Sequence, residues 1–189
     1  MTVMDPWVPK WAAIATLAVF FFWFGFLTSD PIASGPRRIV SLELSPTVDA
    51  ANSFLQEWAK TTSKWKRHPE ATPKERLLTS LQWDSWFICS YAPLFALLCW
   101  VAAGQFDASH PGLAQAGRWL SAGQLLAGAL DFVENWALRH MILDEVARMP
   151  WPLLSFVAAG IKWLLIVAAG IFVAIALCAF VGGVFRTGH

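Results

Sequence analysis

The chain has 189 residues, of which 57% are hydrophobic and only 14% are charged, whereas a soluble domain has about 25% charged residues. Lys and Arg number 14 and Asp and Glu number 13, so the formal charge is +1, which excludes a strongly basic nucleic-acid-binding protein. A wholly disordered chain is excluded as well, because disorder requires low hydrophobicity. This composition indicates an integral membrane protein, which we predict to be a single all-α membrane domain over residues 1–189.

The first apolar stretch covers about residues 8–27 and contains an aromatic block at positions 20–24. We predict that it is a retained membrane helix rather than a cleaved signal peptide, because it is long and rich in aromatic residues for such a peptide. Further stretches long enough to cross a bilayer core of about 30 Å follow it. The predicted fold is therefore a four-helix membrane bundle, whose later spans cover about 83–103, 119–138 and either 153–184 or 163–184.

The segment 31–82, between the first two spans, is predicted to be a cytoplasmic insert with structure of its own. Apolar and polar residues alternate from Val40 to Leu44, a pattern typical of a short extended piece. Ser45 and Pro46 then predict the N-cap and first position of a helix. This amphipathic helix of about 15 residues is expected to lie on the membrane surface or over the inner end of the bundle. Its apolar face comprises Val48, Ala51, Phe54, Leu55 and Trp58.

Four basic residues surround a tryptophan directly after that helix. They favour contact with anionic lipid headgroups at the cytoplasmic face, at about 1 kcal/mol per cation. An ordinary basic loop that only sets the membrane topology would have the same pattern, so both interpretations stay open. The four residues are Lys60, Lys64, Lys66 and Arg67.

The second long helix is predicted to begin before its membrane span. Thr72, Pro73 and Glu75 form a capping-box sequence with proline at the first helical position. The helix should continue without a break into the span at 83–103, where Pro93 predicts a kink because it removes a backbone hydrogen bond.

The distribution of basic residues predicts the orientation in the membrane. Ten basic residues lie in the insert and in the connection between the third and fourth spans, against three on the opposite side. We therefore predict a multi-pass protein with both termini outside and the long insert in the cytoplasm. The ten are Arg37, Arg38, Lys60, Lys64, Lys66, Arg67, Lys74, Arg76, Arg139 and Arg148, and the three are Lys10, Arg118 and Arg186.

The third span contains acids that are unusual in a membrane. Asp131, Glu134 and Asn135 are three and four residues apart and share one helix face with Gln124 and Gly128. Counted from Trp119, Asp131 lies about 18 Å deep and Glu134 about 22 Å deep. An ionised acid facing lipid there would cost roughly 2.5–3.5 kcal/mol. We therefore expect this face to point into the bundle, with Gly128 allowing a neighbouring helix to approach closely.

Two residues of the second span and one of the fourth are candidate partners for these acids. Asp84 begins the second span near Glu134 and Asn135, and Tyr91 lies near the depth of Asp131. If the fourth span begins at residue 153, Lys162 lies about 14 Å deep and can pair with Asp131. If it begins at residue 163, Lys162 is interfacial and reaches an acid by extending its side chain. We favour the second alternative. The predicted intramembrane cluster comprises Asp84, Tyr91, Gln124, Asp131, Glu134, Asn135 and Lys162.

The order of these motifs resembles that of a group of small four-span bacterial inner-membrane proteins of unassigned activity. The resemblance covers about residues 39–136. It rests on Leu42-Glu43-Leu44, the helix ending in Trp58, Asp84, Tyr91 and the Asp131-x-x-Glu134-Asn135 motif. It implies a bacterial inner-membrane location and supports the polar face, but it implies no reaction and no catalytic residue.

Three functions are compatible with these features. The first is an accessory or lipid-organising protein in which the acids form a hydrogen-bonded structural network, with membrane lipids and either a protein partner or a second copy of the chain as partners. The second is a membrane enzyme acting on a lipid or isoprenoid by carboxylate acid/base chemistry. The third is a proton-linked carrier or channel acting as a homo-oligomer. No metal-binding or cofactor motif is present, so no metal and no cofactor are predicted.

Overall fold

The computed structural model describes residues 8–36 and 38–187, with side chains over 12–36 and 38–180. Lys10, Arg37 and Arg186, three residues of the topology argument, lie outside the described side chains. The described ranges are helical and contain no strand. The helices are α1 (Val8–Ser29), which continues into a 3-10 turn (Asp30–Ile32), α2 (Val40–Glu43), α3 (Val48–Ala59), α4 (Pro73–Gly104), α5 (Pro111–Asp144) and α6 (Trp151–Thr187).

Three segments of the described chain are long and apolar enough to cross a membrane, namely Ala12–Ile32, Pro73–Gly104 and Trp151–Phe180. They contain the predicted second span and overlap most of the predicted first and fourth spans. The predicted third span, 119–138, lies inside α5, which is not one of the three because its polar residues lower its hydropathy. Composition and length therefore establish a membrane-compatible helical protein with three candidate spans.

Helices α4 and α5 form the centre of the molecule. Helix α4 packs against α1, α5 and α6, and α5 packs against α4 and α6. The predicted close approach at Gly128 is confirmed, since a Cβ atom there would lie only 2.7 Å from the Cβ of Ala92 in α4. This contact brings the backbones of α4 and α5 together beside the acids of α5.

The predicted extended piece at residues 40–44 is wrong, because Val40–Glu43 forms the short helix α2. Five alternating residues fit either structure, and here tertiary packing decides, since Leu42 is fully buried and α2 contacts α3, α5 and α6. The predicted N-cap is also displaced. Ser45 donates its hydroxyl hydrogen to the carbonyl of Ser41 at 2.6 Å, and Thr47 instead caps α3 by accepting from the amide of Ala50 at 3.3 Å.

Helix α3 places Ala51, Phe54, Leu55 and Trp58 in the interior, as the predicted apolar face requires. Val48 is only half-buried. The buried face packs in one hydrophobic cluster with the start of α4 and the end of α5, including Leu77, Leu81, Leu138, Met141 and Ile142. The helix thus covers one end of the bundle, which is one of the two arrangements predicted for it.

Arg76 joins the segment after α3 to the end of α1. It is fully buried and donates to the carbonyls of Pro31 and Ser63, both at 2.8 Å, and to the Ser34 hydroxyl at 2.9 Å. Its guanidinium also lies over the Trp58 ring. A single cation that satisfies several loop oxygens holds this end of the molecule together.

Helix α4 begins with the predicted capping box. The Thr72 hydroxyl accepts from the amide of Glu75, and the Glu75 carboxylate accepts from the amide of Thr72, with Pro73 at the first helical position. The helix continues through Pro93 to Gly104. The start and the uninterrupted passage into the second apolar stretch are therefore confirmed, whereas the kink at Pro93 remains a prediction.

Candidate functional site

Helix α5 has a polar buried face and an apolar exposed face. Asp131 and Glu134 have 5% and 0% of their surface exposed, and Gln124 and Asn135 are also buried. The acids therefore point into the bundle, as predicted. The exposed residues between 119 and 138 are all apolar, namely Trp119, Ala122, Leu125, Leu126, Ala129, Phe132, Val133 and Trp136.

Lys162 lies between the two acids of α5. Its Nζ is 2.8 Å from Asp131 Oδ1 and 2.7 Å from Glu134 Oε2, and only 5% of the residue is exposed. Tyr91 donates its hydroxyl hydrogen to the other carboxylate oxygen of Asp131 at 2.7 Å. Lys162 thus reaches the acids, as both alternatives allowed. The lysine side chain is buried among the helices, whereas its depth in the membrane stays a prediction, because a helix that begins at Trp151 fits both alternatives.

The remaining residues of the predicted cluster form contacts at two different places. Asn135 donates to Asp84 Oδ2 at 2.6 Å, so α4 and α5 are joined as their antiparallel arrangement predicts. Gln124 instead donates to the backbone carbonyl of Leu165 at 2.9 Å and links α5 to α6. Six of the seven predicted residues therefore form two adjacent hydrogen-bonded groups, and Gln124 forms a separate contact between helices.

Glu43 of α2 is a member of the cluster that the sequence analysis missed. It is 8% exposed, and Lys162, Asp131 and Glu134 are among the groups with which it interacts. Burial raises the pKa of the Glu43 carboxyl above its usual value, the charge of Lys162 lowers that pKa, and the charge of Asp131 raises it. In the sequence, the only signal for Glu43 is its position in the Leu42-Glu43-Leu44 motif, and that motif lies in the segment predicted to be extended and cytoplasmic.

The cluster contains more carboxyl groups than cations. Glu43, Asp84, Asp131 and Glu134 stand against Lys162, whose two ion-pair contacts are to Asp131 and Glu134. An uncompensated buried charge costs several kcal/mol. The buried Glu43 carboxyl, which is also hydrogen-bonded to the Glu134 side chain, therefore holds a proton or binds a cation from outside. Over the described residues, no three His, Cys, Asp or Glu side chains are arranged to hold a metal ion.

A groove of about 370 Å³ opens beside this cluster. The groove is lined mainly by α1, α2, α4 and α6, with Asp131 contributed by α5. One part of its lining is polar and the other part is apolar. The polar residues include Arg38, Glu43, Asp84, Asp131 and Lys162, and the apolar ones include Phe21, Phe87, Phe95, Trp163 and Ile166.

The predicted basic surface lies on the segment that follows α3. Lys60, Lys64, Lys66 and Arg67 are all exposed. Arg67 lies 3.3 Å from Asp30 Oδ2, and its guanidinium lies over the exposed ring of Phe26 near the end of α1. The four cationic side chains therefore lie on the surface, and Arg67 is held beside the end of an apolar helix.

Comparison with protein-family models, curated proteins and solved structures produced no match to this chain. The resemblance to four-span bacterial inner-membrane proteins therefore stays a prediction, and function is argued from the site alone.

Proposed function

We propose that the chain is a four-span protein of the bacterial inner membrane, with α5 as its third span. The support is the outward face of α5, where Leu125 is 58% exposed and Phe132 is 45% exposed, while the acids are buried. In water such a helix would place these faces the other way round. In a bilayer the apolar face meets lipid, and the buried polar face contacts neighbouring helices.

The proposed orientation has both termini outside and the insert of residues 31–82, with α3, in the cytoplasm. The ten-to-three distribution of basic residues supports it. Lys60, Lys64, Lys66 and Arg67 then face the anionic headgroups of the cytoplasmic leaflet.

Reporter fusions test both proposals. Green fluorescent protein fused after His68 or Ala147 is expected to fluoresce, and alkaline phosphatase fused after Ser109 is expected to be active. The same reporter response at Ser109 and Ala147 would show that α5 does not cross the membrane.

For the function itself, we propose that the groove binds an amphipathic, lipid-like molecule from the bilayer and that the protein is an accessory or lipid-organising component. The observation that supports this proposal is that a single groove is lined by polar residues in one part and by apolar residues in another. Phe21, Phe95 and Ile166 can contact a hydrocarbon chain, while Glu43 and Lys162 can contact a polar group. A concave site with a mainly apolar lining and a few polar groups is typical of ligand binding.

A groove-filling variant tests this function. Ile166→Trp adds bulk inside the groove, whereas Leu164→Trp makes the same kind of change on the outward face of α6, where Leu164 is 73% exposed. Mass spectrometry of lipids retained by the purified full chain is expected to show a bound lipid in the wild type and in Leu164→Trp, and its loss in Ile166→Trp. Equal retention by all three proteins would overturn the proposal.

A second candidate is a membrane enzyme that acts on the bound lipid. The observation in its favour is that Glu43, Asp131 and Tyr91, all able to exchange protons, line the groove. A protonated Glu43 would be the general acid. Incubation with a bacterial lipid extract should then produce a new lipid species with the wild-type chain but not with Glu43→Gln. Lipid retention without any conversion would support the accessory function.

A further inference from the structure

The groove has more carboxyl groups than cations in its lining, with Glu43, Asp84 and Asp131 against Lys162 and the exposed Arg38. Glu43 and Asp84 line it, and within the described part of the chain neither forms an ion pair. Lys162 is the nearby cation, and it already contacts Asp131 and Glu134 at 2.8 and 2.7 Å. A ligand that brings its own positive charge would relieve this imbalance.

Aromatic rings surround the same space. Phe21, Phe87 and Phe95 line the groove with Tyr91 and Trp163, and the Phe87 and Tyr91 ring centroids are 5.3 Å apart. The faces of aromatic rings attract cations, most strongly where water is excluded. Aromatic rings beside carboxyl groups that form no ion pair with a described residue are a combination that suits an organic ammonium ion.

We propose that the ligand of the groove carries an ammonium group on a hydrocarbon chain. This inference rests on the proposed lipid-binding function and names its ligand class. The ammonium group would lie against Glu43 and Asp84, and the chain would extend along Phe21, Phe95 and Ile166.

Two molecules share this chemistry, an aminophospholipid and a free long-chain amine, and Arg38 distinguishes them. Arg38 is exposed and lines the groove, and it forms no ion pair with any described residue. A phospholipid would place its phosphate against this guanidinium, whereas a simple amine has no group for it to contact.

The primary experiment measures binding of dodecylammonium to the full chain in dodecyl maltoside micelles, with protein-free micelles as the reference and dodecanol as the uncharged probe. We expect the wild type to bind dodecylammonium at least about tenfold more tightly than dodecanol, and Glu43→Gln to lose about tenfold in affinity for the cation. Asp84→Asn is the second variant and should weaken binding in the same direction. Glu70→Gln, which changes an exposed acid outside the groove, should bind as the wild type does.

The source of the ammonium group is then tested with Arg38→Gln. Loss of co-purified phosphatidylethanolamine with unchanged dodecylammonium binding would identify an aminophospholipid. Absence of phosphatidylethanolamine from the purified wild type, with dodecylammonium bound equally by the wild type and Arg38→Gln, would identify a free amine, and both results support the ammonium site.

Equal affinities for dodecylammonium and dodecanol, or unchanged cation binding in both Glu43→Gln and Asp84→Asn, would overturn the inference. If lipid is still retained by the wild type and lost in Ile166→Trp, the proposed lipid-binding function stands without the ammonium inference. If no lipid and neither probe binds, both proposals fail.

Discussion

Replacing Lys162 with methionine removes the one cation that contacts both Asp131 and Glu134. Each contact, at 2.8 and 2.7 Å, has a gross Coulomb energy of about 6 kcal/mol at an effective dielectric constant near 20. Desolvation of the ions opposes that attraction with several kcal/mol per ion. Removal of one partner from such a buried group costs about 3–5 kcal/mol, and we expect a loss of that size in the free energy of unfolding.

A combined variant separates the charge effect from simple loss of packing. Lys162→Met together with Asp131→Asn and Glu134→Gln removes the cation and both of its carboxylate partners, and neutral replacement of a whole buried ionic group is often tolerated. The combined variant should therefore be more stable than Lys162→Met alone, a strongly non-additive result. Chemical unfolding of the full chain in mixed micelles measures both, with exposed Lys66→Met as the control. A loss below about 1 kcal/mol for Lys162→Met, or a larger loss for the combined variant, would refute the argument.

Three further changes probe other parts of the structure. Arg76→Met should lower stability by about 2–4 kcal/mol and expose the segment after α3 to proteolysis, because the buried carbonyls that it satisfies lose their donor. Gly128→Ala should cost about 1–3 kcal/mol, since the new methyl group would lie 2.7 Å from the Cβ of Ala92, whereas Gly104→Ala, with open space around it, should change thermal stability little. Glu43 has a pKa above its usual value of 4.5, so the native state keeps a proton that the unfolded chain releases as the pH rises. Stability should therefore fall as the pH rises from that value to the native pKa, and Glu43→Gln should remove this part of the pH dependence in unfolding experiments.

Much of the fold could be predicted because its signals are local. The capping box at Thr72 depends on residues three positions apart, and the buried face of α3 depends on helical periodicity. The segment at 40–44 was different. Its alternation describes only five residues, and the burial of Leu42 against distant helices decided its conformation.

Part of the candidate site could be predicted from the sequence, namely the contacts that depend only on how far along its helix each residue lies. Counting along α4 and α5 placed Tyr91 beside Asp131 and Asp84 beside Asn135, and the structure contains both hydrogen bonds. The same counting could not place Glu43, because this residue lies outside the predicted membrane spans and its position depends on how the insert folds. The groove could not be predicted from the sequence either, because its lining residues come from five helices and the turn after α1.

The position of Lys162 in the chain has a consequence for synthesis of the protein. The acids of α5 leave the ribosome before their cation does, because Lys162 follows Glu134 by 28 residues. If α5 is the third span, as proposed, an isolated α5 would meet hydrocarbon with carboxyl groups that cost roughly 2.5–3.5 kcal/mol each when ionised near the bilayer centre. Under that proposal, stable integration of α5 has to wait, sheltered by α4 or by the insertion machinery, until α6 arrives with the lysine.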